Sequence, residues 1–172
     1  MKKVRIGKEQ AIQRIRHYCA YQERAQQEVR DKLYELGMTM GEVEEIMSDL
    51  IAENFLNEER FACSFARGKH RIKYWGNIRI VNELKFRNIS SYNIKTALKE
   101  ISEEEYFTNF HFIADRHWHT MKENDSLKKR KKFCDFLLRK GFESNMIYEK
   151  VKAIHIKRYP YNDFLYQNDV EE

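Results

Sequence analysis

Few residues of this chain are spaced for chemistry. A nucleophile and its base are first suggested by Cys63 and His70, seven positions apart in "RFACSFARGKHRIKYWGNIRIVNEL", residues 60–84. On a helix that separation is two turns, about 10 Å, which is too far for direct proton transfer between the two side chains. We therefore expect Cys63 to be a small core residue, and we expect the protein not to be an enzyme.

A second candidate is a metal site in the stretch "ADRHWH". Asp115 and His119 are four positions apart and share a helix face, and His111 lies one turn earlier. Zinc sites use three or four ligands, mostly Cys and His, so we expect an exposed polar stripe opposite an apolar face with Phe107 and Phe110. A metal-dependent enzyme is the weakest hypothesis. No Gly-rich phosphate loop or hydrolase motif is present, and no cofactor is expected.

Positive charge forms two clusters within a net charge of +5. Such clusters either coat solvated helix faces or attract an anionic partner. Trp75 stands beside the first cluster, where it either fills a gap between helices or anchors an interface, since Trp and Arg are common in hot spots. The predicted partner-binding residues are Arg67, Lys69, Arg71, Lys73, Trp75, Arg79, Lys128, Lys129, Arg130, Lys131 and Lys132.

An internal repeat indicates which elements position these residues. The segments "DKLYELGMTMGEVEEIMSDL", "NELKFRNISSYNIKTALKEI" and "DFLLRKGFESNMIYEKVKAI" align in one register. Gly37, Asn88 and Gly141 align where a helix must end, because Gly and Asn tolerate the left-handed conformation of a helix terminus. Apolar residues then recur at helical spacing in each copy, so every unit contains a helix, a tight turn and a second helix.

The fold class follows from this repeat and from composition. The 172 residues include one proline and six glycines, too few turn residues for an all-β fold. We predict an all-α protein of three tandem three-helix, helix-turn-helix-like repeats that form an elongated, curved molecule. The predicted repeats are 1–56, 57–101 and 102–160, with a C-terminal tail at 161–172. Pro160 would end the last helix.

The cellular compartment is indicated by cysteine usage and by the absence of targeting segments. Cys19, Cys63 and Cys134 are scattered and odd in number, which favours a reducing compartment. The start "MKKVRIGKEQ" has no apolar signal-peptide core, and no apolar stretch is long enough to span a membrane. We expect a cytoplasmic protein without a membrane partner.

The stretch "FLNEERFACSFARGKHRIKYWGNIRIVNEL" resembles the central signature of the RecX family of regulatory proteins. That signature is an aromatic–Leu–acidic–acidic run, Arg–Phe–Ala, a basic stretch, Gly, Arg–Ile and Glu–Leu, and here only Asn57 departs from it. "LLRKGFESNMIYEKV" is similar to the family's third unit and "RAQQEVRDKLYELG" to its first. In that first unit Ala25 and Glu28–Val29 lie where Arg–Ser is common before Glu–Leu. The resemblance extends over roughly residues 10–155.

The resemblance implies a non-enzymatic modulator of the RecA recombinase. Family members are similar to a helical strap in the groove of the RecA–single-stranded DNA filament, and they suppress ATP hydrolysis, strand exchange and co-protease activity. Such a protein would modulate homologous recombination, DNA repair and the SOS response. A monomer is expected, and binding of single- or double-stranded DNA stays open. The alternative is a direct nucleic-acid-binding protein that uses its helix-turn-helix-like units.

Overall fold

The computed structural model describes residues 5–123 and 127–158, and over these ranges the chain forms nine helices and no strand. The helices are α1 (Lys8–Tyr21), α2 (Gln26–Glu35), α3 (Met40–Ala52), α4 (Glu58–Lys73), α5 (Asn77–Phe86), α6 (Ser91–Leu98), α7 (Glu103–Thr120), α8 (Leu127–Lys140) and α9 (Ser144–Arg158). The predicted all-α helical-repeat class is confirmed. We call α1–α3, α4–α6 and α7–α9 the first, second and third repeats. Pro160 and the predicted tail at 161–172 lie outside the described residues.

The same turn closes the second helix of every repeat. Gly37, Asn88 and Gly141 adopt φ values of 86°, 57° and 89°. The N–H of the following residue then bonds back to the last helical turn, as from Met38 to the Leu33 carbonyl at 3.1 Å. This left-handed closure satisfies carbonyls that the helix end would otherwise leave without a partner. The repeat alignment therefore located these helix ends correctly.

Side-chain caps begin four of the described helices. In each case a side-chain oxygen accepts the N–H three residues later, which satisfies an otherwise unpaired donor. The capping residues are Thr39, Asn57, Ser90 and Ser102. Ala25 begins α2 without such an oxygen, and there the Glu28 carboxylate accepts the Ala25 N–H at 3.2 Å. The start of α2 is thus capped by one half of a capping box, the bond from the Ala25 N–H to the Glu28 side chain.

The buried residues form two separate cores. The first repeat has its own, which includes Ile15, Leu33 and Leu50. The second and third repeats share the other, to which Ala25 also contributes and in which the Phe110 and Phe142 rings lie 5.1 Å apart. Each fully buried side chain of this size contributes about 1.5–3 kcal/mol relative to exposure. The second and third repeats consequently pack as one unit.

The buried face of α7 differs from the expected one. Phe107 was expected in the apolar face but is 41% exposed, and Tyr106 lies in the core instead. The Tyr106 hydroxyl accepts the Asn77 N–H at 3.1 Å and donates to Glu143 Oε2 at 2.7 Å. A buried tyrosine needs such partners, and they come from the start of α5 and the start of α9. Burial also raises the pKa of Tyr106.

Candidate partner-binding surface at the junction of the second and third repeats

The basic stretch of α4 divides between two faces of the helix. Arg67 and Arg71 are one turn apart and both bond to acids beyond α6. Arg67 bonds to Glu100, and Arg71 donates to both oxygens of Glu105 at 2.6 and 3.1 Å. The Arg71 hydrogen bond lowers the pKa of Glu105. The charge of these two arginines is therefore largely neutralised within the molecule, where they tie α4 to the start of α7.

Lys69 and Lys73 lie on the other face of α4. The Lys69 ammonium is 5.2 Å from the centroid of the Phe65 ring and 5.3 Å from that of Trp75. Lys73 is exposed, and its carbonyl accepts a hydrogen bond from Lys140 Nζ at 2.8 Å. Lys69 thus lies beside an aromatic pair, and neither lysine has an ion pair among the described residues.

The end of α4 sets the position of Trp75. The helix ends at Lys73, and Tyr74 takes a left-handed φ of 53°, which costs about 1–2 kcal/mol for a residue with a Cβ. Packing of the Tyr74 ring on Phe112, with centroids 5.3 Å apart, offsets part of that cost. His70 is fully buried, and its Nδ1 donates to the Trp75 carbonyl at 2.9 Å. The backbone at Trp75 is therefore held from both sides.

Trp75 is half-buried and serves as a platform for Arg79. The Arg79 guanidinium lies 4.0 Å from the centroid of the Trp75 ring, and its Nη1 donates to the Arg139 carbonyl at 3.0 Å. The edge of Phe65 packs on the same ring at 6.2 Å. A cation above tryptophan gains about 0.5–2 kcal/mol. Trp75 thus fills the gap between helices and also orients a cation at the surface. Its use as an interface anchor stays a prediction.

Two glycines let the second and third repeats meet backbone to backbone. Gly76 donates its N–H to the Lys140 carbonyl at 2.8 Å, and Ile78 donates to the Gly141 carbonyl at 3.1 Å. A Cβ on Gly76 would lie 2.2 Å from the Gly141 oxygen, and one on Gly141 would lie 2.3 Å from Arg79 Cβ. A glycine is therefore required at position 141 for two reasons, the positive φ and this close approach.

Positive charge accumulates at this contact. The pKa of Lys140 is lowered, first by burial and then by the nearby charges of Arg79 and Lys73. Among the described residues, none of the ion pairs connects these cations to a carboxylate. We name this group the Trp75 cluster, and its members are Lys69, Lys73, Trp75, Arg79 and Lys140.

Sequence reasoning missed Lys140. It precedes Gly141, one of the three repeat positions, so its place at a helix end was readable from the chain. Its approach to Lys73 was not, because the two residues are 67 positions apart and meet only through the contact of Gly76 with Gly141.

The basic run of α8 contains one residue that faces inward. Lys129 is 7% exposed and shares the buried face of α8 with Phe133 and Leu137. Its ammonium lies 4.5 Å from the centroid of the Trp118 ring and 3.4 Å from the Met121 carbonyl. Lys129 was predicted to bind a partner, but the structure gives it a role in packing α8 against the end of α7.

The rest of that run lies nearer the surface. Lys128 and Lys131 are exposed, and Arg130 is half-buried. Lys132 bonds to Glu123, and this hydrogen bond lowers the pKa of the Glu123 carboxyl. Lys128 and Lys131 are therefore the residues of this run that best present positive charge to solvent.

The candidates for catalysis and metal binding are engaged in packing or ion pairs. Cys63 is a core residue as expected, and burial raises the pKa of its thiol, which disfavours the nucleophilic thiolate. Lys150 Nζ lies 2.7 Å from Asp115 and 3.3 Å from His111 Nδ1, so an ammonium lies between two of the three suspected ligands, and the third, His119, is exposed. Over the part of the chain that the structure describes, no three His, Cys, Asp or Glu side chains group around a metal position.

Membrane insertion has no support from the helices. None of the helices in residues 5–123 and 127–158 combines the length and the apolar character that a bilayer crossing requires.

Comparison with known proteins identifies the repeats. Residues 57–98 match the family model of the RecX second three-helix domain, and residues 103–151 match that of the RecX third three-helix domain. The regulatory proteins RecX of Bacillus cytotoxicus and Bacillus mycoides are 25% and 24% identical to this chain over 130 residues. That alignment covers 76% of this chain and 48% of each relative. The chain thus spans about half the length of the curated relatives that it matches.

Two solved structures share the fold. The crystal structure of RecX from Lactobacillus salivarius has a TM-score of 0.71 at 22% identity and covers 87% of this chain and 97% of its own. A crystal structure of a regulatory protein RecX has a TM-score of 0.73 at 23% identity and covers 85% of this chain and 71% of its own. Since the two domain models together match more than half of the sequence, the chain belongs to the RecX family.

Proposed function

We propose that this protein is a non-enzymatic, cytoplasmic regulator that binds the RecA–single-stranded DNA filament as a monomer. Binding would inhibit the ATPase, recombinase and co-protease activities of the filament and so modulate recombination and DNA repair. The observation that carries the proposal is the match of two consecutive repeats to RecX domains. The curated relatives are named regulatory proteins, which agrees with a role exerted on another molecule.

The Trp75 cluster supports a binding role for the junction of these two repeats. Its cations lack ion-pair partners among the described carboxylates, and several are already held by ring contacts or carbonyls. A preorganised cationic surface loses little side-chain entropy when an anionic partner arrives, and it raises the rate of association. Three repeats in one chain can also combine several weak contacts along a filament into a stronger one.

The ion pairs and burial of the predicted contact residues set their order in this proposal. Lys69, Lys73, Trp75 and Arg79 remain the first choice, and Lys140 joins them. Lys128, Arg130, Lys131 and Lys132 remain a second patch. Arg67 and Arg71 would have to break their ion pairs with glutamates before they could contact a partner. Lys129 would have to leave the core.

The proposal is tested by the ATPase of RecA on single-stranded DNA while this protein is titrated well below one copy per RecA. We expect inhibition at that ratio, because a regulator that acts on a filament affects many protomers from one site. An absence of inhibition up to equimolar protein, with DNA binding intact, would contradict the proposal.

A second candidate is direct nucleic-acid binding, favoured by the two exposed lysines, Lys128 and Lys131, in the first turns of α8. This function requires tight DNA binding in the absence of RecA. Its logarithmic affinity would fall with logarithmic salt concentration by about 0.9 for each phosphate contacted. Fluorescence anisotropy with labelled duplex and single strands at several salt concentrations measures that slope.

A further inference from the structure

An apolar groove lies beside the Trp75 cluster, between α5 and α8. Ile78 and Phe86 of α5 and Leu138 of α8 form its walls, and it encloses about 490 Å³. Phe86 is 82% exposed, Leu138 is 50% exposed and Ile78 is 47% exposed. Side chains of this size at adjoining exposed positions are typical of a surface that another molecule covers. We name this feature the α5–α8 groove.

The two walls of the groove come from different repeats but are held in register by the backbone. The N–H of Gly76 bonds to the Lys140 carbonyl at 2.8 Å, and the N–H of Ile78 bonds to the Gly141 carbonyl at 3.1 Å. Ile78 and Gly141 themselves line the groove, and Lys140 lies between its lining residues Arg139 and Gly141 in the chain. The groove is therefore formed before any partner arrives, which lowers the entropic cost of binding.

The rim of the groove is cationic. Arg79 and Arg139 line it, and the Lys140 ammonium is close enough to Arg79 for that charge to help lower its pKa. The acidic residue of the lining, Glu83, accepts a hydrogen bond from Arg87 at 2.7 Å, so its charge is already balanced. An occupant that carries carboxylates next to an apolar side chain would complement both the rim and the walls.

We propose that the α5–α8 groove docks a segment of a partner protein in which a large apolar side chain is flanked by carboxylates. A protein segment fits better than nucleic acid, because bases stack on aromatic faces and two of the three apolar walls are aliphatic. The inference rests on the proposed function, since it assigns the docked segment to the protein component of the RecA filament and not to the DNA.

The test compares Phe86→Glu with Tyr92→Glu, a matched change at an aromatic residue that is 72% exposed on α6 of the same repeat. Both variants should fold, and circular dichroism melts verify this. Co-sedimentation with RecA filaments on single-stranded DNA measures affinity for the filament, and anisotropy measures affinity for free DNA. We expect Phe86→Glu to bind the filament at least about tenfold more weakly, which corresponds to about 1.4 kcal/mol. Tyr92→Glu should stay within about twofold of wild type, the scatter expected for a surface change away from the interface.

Equal filament binding by Phe86→Glu and wild type would overturn the proposed role of the groove as a docking site. The proposed function would not be affected. A parallel loss of free-DNA binding would identify nucleic acid as the occupant and also overturn the proposed role of the groove. If the wild type itself fails to bind the filament, the proposed function fails. In that case the groove is tested separately with a labelled peptide that carries Phe–Leu between acidic residues. Binding of that peptide, lost in Phe86→Glu, supports the inference, whereas no binding or equal binding of a lysine-flanked peptide overturns it.

Discussion

Gly141 shows how one residue can be constrained by two different requirements. Its φ of 89° closes α8, a local requirement that any left-handed helix end imposes. Its missing Cβ also lets Arg79 approach, a requirement that arises from another repeat. Asn88, the equivalent residue of the second repeat, meets the first requirement with a φ of 57° while keeping its side chain.

The first prediction is at this residue scale and compares Gly141→Ala with Gly68→Ala. Gly141→Ala should lower the free energy of unfolding by about 2–4 kcal/mol, since it combines a strained φ with overpacking against Arg79. Gly68 lies within α4 and has no atom within 4 Å of an added Cβ. Gly68→Ala should raise the free energy of unfolding by about 0.5–1 kcal/mol. Urea denaturation measures both, and equal effects of the two changes would refute the close approach.

At the scale of elements, α4 is the helix that contacts the rest of the second repeat and the first helix of the third repeat. It packs against α5, α6 and α7. Arg67 bonds to Glu100 in the connection from α6 to α7 and Arg71 to Glu105 in the first turn of α7, whereas Lys69 and Lys73 belong to the Trp75 cluster. The helix therefore combines a basic face that is paired with glutamates and a second basic face whose lysines have no ion pair among the described residues.

The bond between Arg71 and Glu105 predicts an acid-dependent loss of stability. Arg71 lowers the pKa of Glu105 below its ordinary 4.5, so the folded state favours the ionised form. That contribution is present above pH 4.5 and disappears as the pH falls through the folded pKa. Urea midpoints measured from pH 7 down to pH 3 should show a shallower acid decline in Glu105→Gln than in wild type. The neighbouring exposed Glu104→Gln is the control, and an unchanged decline in Glu105→Gln would count against this role.

For the whole molecule, the division of the interior into two cores matters most. The first repeat buries its own core, and the second and third repeats share another. The Trp75 cluster and the α5–α8 groove both lie where the second repeat meets the third. The shared core and the backbone bonds between Gly76 and Lys140 and between Ile78 and Gly141 hold these two surfaces next to each other.

Charge reversal at the Trp75 cluster tests this surface in the whole protein. We expect Lys69→Glu combined with Arg79→Glu to raise the concentration for half-inhibition of the RecA ATPase by about tenfold or more, since like charges would then face an anionic partner. Lys95→Glu combined with Lys99→Glu makes the same change in net charge at exposed residues of α6 and its end. This control should inhibit almost as wild type does. Identical inhibition by both double variants would remove the Trp75 cluster from the interface.

Local features of the chain were predictable from the sequence. The repeat register located the helix ends at Gly37, Asn88 and Gly141, because a left-handed turn is a property of a few consecutive residues. The signature around residues 55–84 indicated the family, and the family models match it. Periodicity was less reliable for burial, since Phe107 and Tyr106 are neighbours and the partners of the Tyr106 hydroxyl decided which one is buried.

The sequence by itself thus determined the helices, their ends, the triple repeat and the family, since each depends on residues close together in the chain. The tertiary structure alone decided which positive charges are balanced. Arg71 finds Glu105 from 34 positions away, and Lys140 approaches Lys73 from 67 positions away. Charges interact through space, over a few ångströms, so a basic run in the sequence shows only where the cations are. The fold determines which of them face a carboxylate and which do not.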